Sequence, residues 1–168
     1  MAAISFQNLP GEARVWVFAA SDALVGDKAD ALLGAADEFL GGWKAHDLPL
    51  TCARDWREDR FLAIGVDQRD AHASGCSIDG LFRVLQRLES SLGTSLVGGG
   101  RVFYRDGDGR ITCVSRAEFA ARAAAGSVAD NTRVLDTTVT TASAYRDRFE
   151  QPAAASWHAA LFPTNRQR

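Results

Sequence analysis

The sequence predicts an α+β domain built on a mainly antiparallel sheet, with two main helices packed on one face. Three observations carry that reading. Arg14-Val15-Trp16-Val17-Phe18-Ala19-Ala20 is apolar at nearly every position, two stretches over residues 24–46 and 78–92 repeat apolar residues at helical spacing, and short paired runs between them read as strands. The order is strand, helix, two strands, helix, then a hairpin, a short helix and a strand. It fits a split βαβ, ferredoxin-like core if the first strand of the later hairpin supplies the fourth strand. At 168 residues, 46% hydrophobic and 24% charged, the chain is long enough for one domain with a true core. That domain is placed at residues 14–162, after an N-terminal extension over 1–13 and before a C-terminal tail over 163–168.

Taken in order, residues 1–13 read as a poorly ordered start ending in the turn signal Pro10-Gly11. The run from Arg14 has the pattern of a strand covered on both faces. Ser21-Asp22 offers cap chemistry for a helix over residues 24–46, where Val25, Leu32, Leu33, Ala36, Phe39, Leu40 and Trp43 share one face. Gly41-Gly42 weakens its last turn, so the helix frays near Trp43-Lys44-Ala45-His46, and Pro49 forbids its continuation. Residues 50–56 and 60–67 form a hairpin around Arg57-Glu58-Asp59, with Phe61 and Ala63 on one face and Leu62, Ile64 and Val66 on the other. Ile78, Leu81, Phe82, Leu85, Leu88 and Leu92 mark the clearest amphipathic helix, and Gly93 stops it. Residues 101–105 and 110–114 flank the hairpin turn Asp106-Gly107-Asp108-Gly109. Ser115-Arg116-Ala117-Glu118 is a capping-box signature for a short helix to about Ala125. Residues 132–141 are β-branched and read as strand. Residues 142–168 are polar around one apolar knot, Ser156-Trp157-His158-Ala159-Ala160-Leu161-Phe162.

Composition narrows the function classes. The net charge is −2 and no Lys/Arg block stands out, which disfavours a nucleic-acid partner. No cationic leader precedes an apolar run, and no apolar stretch approaches the ~20 residues of a membrane span, so neither a signal peptide nor a membrane partner is expected. Cys52, Cys76 and Cys113 are odd in number and widely spaced, as suits reduced thiols in a cytoplasmic protein. Without CxxC, HExxH or a zinc-spaced Cys/His cluster, no metal and no cofactor is expected. Asp106-Gly107-Asp108-Gly109 lacks the later Glu of a calcium loop.

The most chemically loaded stretch is Ala73-Ser74-Gly75-Cys76-Ser77-Ile78-Asp79, in the turn leading into the second helix. A thiol there meets unpaired backbone N–H groups and the positive end of the helix dipole, both of which favour a thiolate. Cys76 is therefore the candidate nucleophile, with His46 or His158 as its base; His72 is the third histidine of the chain. Ser74, Gly75, Ser77 and Asp79, together with Trp157 of the C-terminal knot, are the candidate ligand-binding residues. Three readings stay open. The stretch serves a thiol-dependent enzyme; or it holds a small anion, a metabolite or a protein without chemistry; or Cys76 is a small buried apolar residue. Asp79, placed in the first helical turn, opposes thiolate formation.

Several motifs stand in the order seen in a known family. They are Trp43-x-x-His46, Arg60-Phe61-Leu62-x-Ile64-x-Val66-Asp67, Ser74-Gly75-Cys76-Ser77-Ile78-Asp79, Tyr104-Arg105-Asp106-Gly107-Asp108, Val139-Thr140-Thr141 and Ser156-Trp157-His158. From about Leu9 to Phe162 the chain resembles a family of uncharacterised bacterial proteins, many from Bacteroidetes and relatives, often labelled "ABC transporter ATPase". The resemblance implies a cytoplasmic, single-domain protein whose C-terminal Trp-His knot docks on the domain. Its motif positions fall on Trp43, His46, Asp67, Cys76, Asp79, Thr140, Thr141, Trp157 and His158. Where relatives tend to have an acidic-Arg pair, this chain has Gly98-Gly99-Gly100-Arg101. It also lacks a glycine loop ending in Lys-Ser/Thr, so ATP binding is not carried over.

Overall fold

In the computed structural model, which describes residues 4–164, β1 (Arg14–Ala19) leads through α1 (Asp27–Gly41) to the two-residue strands β2 (Lys44–Ala45) and β3 (Leu48–Pro49). β4 (Thr51–Arg57), β5 (Phe61–Asp67) and α2 (Gly75–Leu92) follow. β5 lies between β1 and β4 and pairs antiparallel with both, Trp16 and Arg54 flanking Ile64. Every β5 residue is buried. The central position covered on both faces, expected for the run from Arg14, thus belongs to β5, whereas β1 stands at the end of the three-strand order with Trp16 and Val17 half-buried. Leu62, Ile64 and Val66 share a core with Leu32 and Ala36 of α1 and with Leu81, Leu85 and Leu92 of α2. The two main helices thus cover one sheet face, as the α+β reading requires.

The chain continues through β6 (Arg101–Arg105), β7 (Ile111–Ser115), α3 (Arg116–Ala124), β8 (Arg133–Leu135), α4 (Ala142–Arg148) and β9 (Glu150–Pro152) to two short 3-10 turns. These four strands form a separate antiparallel sheet in the order β7-β6-β8-β9. Val102, Tyr104, Val114, Phe119, Ala123, Val134 and Ala153 form its core, with Trp157, Leu161 and Phe162 against it. The chain divides into two compact units, Met1–Val97 with Thr137–Arg146, and Gly98–Asp136 with Asp147–Arg168. β6 therefore does not supply a fourth strand to the first sheet, which corrects the ferredoxin-like arrangement. The outer edge of β1 instead meets residues 140–141, through Val15 N–H donating to Thr140 O (2.9 Å) and a single bridge between Arg14 and Thr141.

Other differences have local causes. α1 begins at Asp27 after Gly26, not after Ser21-Asp22; the Ser21 N–H donates to Thr94 Oγ1 (3.2 Å) instead, and Val25 stays 63% exposed. Trp43-Lys44-Ala45-His46 leaves the helix for the β2–β3 hairpin. Only Arg133–Leu135 of the long β-branched stretch is strand. Residues 4–13 are no loose extension, since Phe6 and Leu9 are 4% and 3% exposed. The polar stretch after residue 141 contains α4 and β9. Of the expected tail, residues 165–168 lie outside the described residues, as do residues 1–3 of the expected extension. Gly93 ends α2 as predicted, with a left-handed φ of 69°, and Ser115 and Glu118 make the full capping box of α3.

The β5 face opposite the helices is closed by Phe6, Leu9 and Tyr145. The Tyr145 hydroxyl donates to Asp55 Oδ2 (2.9 Å), which also accepts from Arg57 Nε (2.9 Å), while the Arg57 guanidinium lies over the Tyr145 ring. Burial, with the Asp55 charge adding to it, pushes the phenol far above its ordinary range and keeps it a donor. Tyr145→Phe removes one hydrogen bond to a carboxylate and is expected to cost about 1.5–3 kcal/mol, read by urea denaturation. An unchanged midpoint would mean that Arg57 alone satisfies Asp55.

Candidate functional site

The Ser74 side chain makes the start of α2. With extended backbone (φ −79°, ψ 161°), its Oγ accepts from the Ser77 N–H (3.2 Å), and the Ser77 hydroxyl donates back to Ser74 O (2.8 Å). The helix starts at Gly75, three residues earlier than the apolar periodicity indicates. Cys76 is thereby its second residue, within the first turn, and its side chain is exposed. That exposure overturns the reading of Cys76 as a buried apolar residue. Asp79 lies beyond the first turn, which contains no acidic residue, and not within it as the sequence reading has it. Ser77 is half-buried, and Gly75 and Asp79 are exposed.

Trp43 joins a second motif to this helix start. Its buried indole Nε1 donates to Ser77 O (3.0 Å), and its ring meets Phe39 at 5.3 Å and Trp16 at 6.2 Å between centroids. The Leu50 N–H donates to Trp43 O (3.0 Å), closing the base of the β2–β3 hairpin. At its tip His46 and Asp47 both adopt left-handed backbone, φ 50° and 64°, between the paired residues Ala45 and Leu48. Two left-handed residues are what a two-residue type I′ hairpin demands, and this chain meets the demand without glycine. His46 is exposed there. Among the described residues neither the His46 ring nor the Cys76 thiol has a hydrogen-bond partner. Between the two motifs, the Asp67 carboxylate at the end of β5 takes the Arg69 guanidinium in a fork, closest at 2.6 Å, which holds its pKa below the ordinary carboxylate value.

The structure places His158 and Trp157 in the other unit. His158 is 1% exposed in a 3-10 turn, with Nδ1 2.8 Å from Ser156 Oγ, its ring stacked on Trp157 (3.9 Å) and edge-on to Phe119 (6.0 Å). Trp157 Nε1 donates to Asp136 Oδ1 (3.1 Å), and the Arg116 guanidinium lies over the indole face. Burial pushes the imidazole down to about 4, against the opposing pull of Asp136. Asp136 lies outside every motif read from the sequence, whereas Ser156 belongs to the Ser156-Trp157-His158 motif. The only sequence signal was a Trp-His pair in an otherwise polar stretch, which a packed ring cluster explains.

The two thiol environments differ as well. Cys52 is half-buried, its Sγ contacts Leu40 O at 3.6 Å, and burial pushes its thiol up to about 11. None of the three cysteines is in a disulfide, and no group of three His, Cys, Asp or Glu side chains able to hold a metal occurs among the described residues. No helix among them is long and apolar enough to cross a membrane. No protein family, no curated protein and no solved structure matches the chain.

Two outcomes follow from these environments. In the folded protein at neutral pH, iodoacetamide is expected to modify Cys76 well before Cys52, read by peptide mass spectrometry. Equal labelling of both would contradict the assigned burial. His158 supplies a pH dependence. Between about 6.5, its ordinary value, and about 4, the unfolded chain binds a proton that the folded chain refuses. Stability is therefore full above that window and declines as pH falls through it. The slope of denaturation free energy against pH is expected to be shallower in His158→Asn than in the parent.

Proposed function

We infer that the start of α2, with the Trp43 hairpin beside it, is the working surface of a small bacterial cytoplasmic protein, and that it binds a small anion, a metabolite or another protein. The observation that carries this reading is the Trp43–Ser77 hydrogen bond. It ties Trp43-x-x-His46 and Ser74-Gly75-Cys76-Ser77, far apart in sequence, into one rigid assembly that holds exposed groups at its margin. Preorganised groups bind at less entropic cost than groups ordered on binding. The free N–H groups of the first helical turn suit a carboxylate or phosphate. Three cysteines outside any disulfide and a sequence without a Lys/Arg block support a cytoplasmic setting without nucleic acid.

Thiol-dependent catalysis is the second reading, favoured by the exposure of Cys76 at the second helical position. It asks for a base. His46 makes no hydrogen bond to the thiol, and the Nδ1 of His158 is engaged by Ser156.

Thermal shift with phosphate and a panel of small carboxylates separates the two. Stabilisation that persists in Cys76→Ser is the outcome expected for binding. A Cys76 that alkylates much faster than an unfolded control thiol, with a rate that falls in His46→Gln, would favour the enzyme. Trp43→Phe keeps the ring but loses the indole donor, and is expected to weaken any such stabilisation while costing about 1 kcal/mol in stability.

A further inference from the structure

The N-terminal segment is attached in an unusual way. Among the described residues, residues 5–9 make backbone–backbone hydrogen bonds only with one another, Asn8 N–H to Ser5 O (2.9 Å) and Leu9 N–H to Phe6 O (3.2 Å), around a 3-10 turn over Phe6–Asn8. Pairing with the rest of the first unit begins at Gly11, whose carbonyl accepts from the Ser143 N–H (2.9 Å); the Ala13 carbonyl accepts from Ala142 N–H (3.0 Å). Upstream of that point three contacts hold the segment, the first being the Phe6 ring edge-on to Tyr145 (5.2 Å). Phe6 and Leu9 fill the slot left by Gly65 in the middle of β5, where a Cβ would stand 2.4 Å from Leu9 Cδ1 and 3.0 Å from Phe6 Cε2. Arg146 clasps it from α4, its Nη2 donating to the carbonyls of Phe6 (3.1 Å), Gln7 (3.3 Å) and Leu9 (2.6 Å). The Arg146 Nε is buried without a hydrogen-bond partner.

We propose that residues 4–10 are a strap that opens and closes as a unit, hinged at Pro10-Gly11 and latched by Arg146, over an apolar slot centred on Gly65. Opening breaks no ladder of the sheet. It releases two apolar side chains and one guanidinium clasp, and it frees a buried donor that has no acceptor while closed. β1 and β4 continue to pair with β5 on either side. In the open state the slot uncovers β5 at Gly65, complementary to a short turn with apolar residues three apart, as Phe6 and Leu9 are. The strap is thus a ligand of that slot supplied in cis, and its latch sets how often the slot is free.

Hydrogen exchange on the full chain under native conditions tests this. The Asn8 and Leu9 amides are expected to exchange about tenfold or more faster than the paired amides of β5, because they open without global unfolding. Arg146→Gln should speed Asn8 and Leu9 further while β5 protection stays near its parent value. Gly65→Ala, which crowds Leu9 but suits a strand, should do the same from the other side of the segment. Strap amides that exchange at the β5 rate in the parent chain would overturn the proposal, as would variants that accelerate both regions equally.

Discussion

Burial of β5 on both faces is the constraint from which the first unit is built. A strand in that position loses solvent on every side, so each neighbour must bring apolar surface or a satisfied polar group. α1 and α2 bring the Leu-rich face on one side. On the other, Phe6, Leu9 and Tyr145 do so, and the one polar group they carry inward, the Tyr145 hydroxyl, is given to Asp55. Gly65 permits the close approach of the N-terminal segment; a Cβ there would stand 2.4 Å from Leu9 Cδ1, so that side chain would have to shift.

The path of the chain follows from this need for cover. It leaves the first unit after Val97, builds the second sheet, and returns over Thr137–Arg146 before leaving again. The returning segment bridges to the edge of β1 at Thr141, supplies Tyr145 to the open face of β5 and Arg146 to the N-terminal segment. Residues separated by about the whole length of the chain thereby share one set of contacts. The second unit has its own core, where Phe119, Tyr104 and the C-terminal Trp157-His158 pair take the corresponding roles.

The same partition shapes the candidate site. A nucleophile and its base must stand within hydrogen-bond reach, or one water apart, for the pair to work. The chain puts Cys76 and His46 on separate exposed elements of one unit and His158 inside the other. What it does assemble around Cys76 is mechanical: a capped helix start, a tryptophan clamp and a hairpin with two left-handed residues at its tip. Such rigidity lowers the entropic cost of presenting exposed groups, and the binding proposed for this surface draws on that.

Periodicity alone determined β1, β4, β5 and α2, because each is long enough for its apolar pattern to repeat, and local chemistry alone determined the Gly93 stop and the Ser115–Glu118 capping box. It also singled out Ser74-Gly75-Cys76-Ser77 as a helix start carrying a thiol. Only the tertiary structure decided the rest. β2 and β3 are two residues each, too short to show a period, and exist because Trp43 is anchored to Ser77 and Leu50. Thr138 and Val139 have strand-forming residue types yet lie outside the named strands, whereas Arg133–Leu135 lies between β6 and β9. Phe6 and Leu9 stand in a short start with no repeating pattern; Gly65 and Arg146, remote in sequence, make them core. The exposure of Cys76 and the enclosure of His158 belong to this second class, since which side chains solvent reaches depends on what the rest of the chain leaves uncovered.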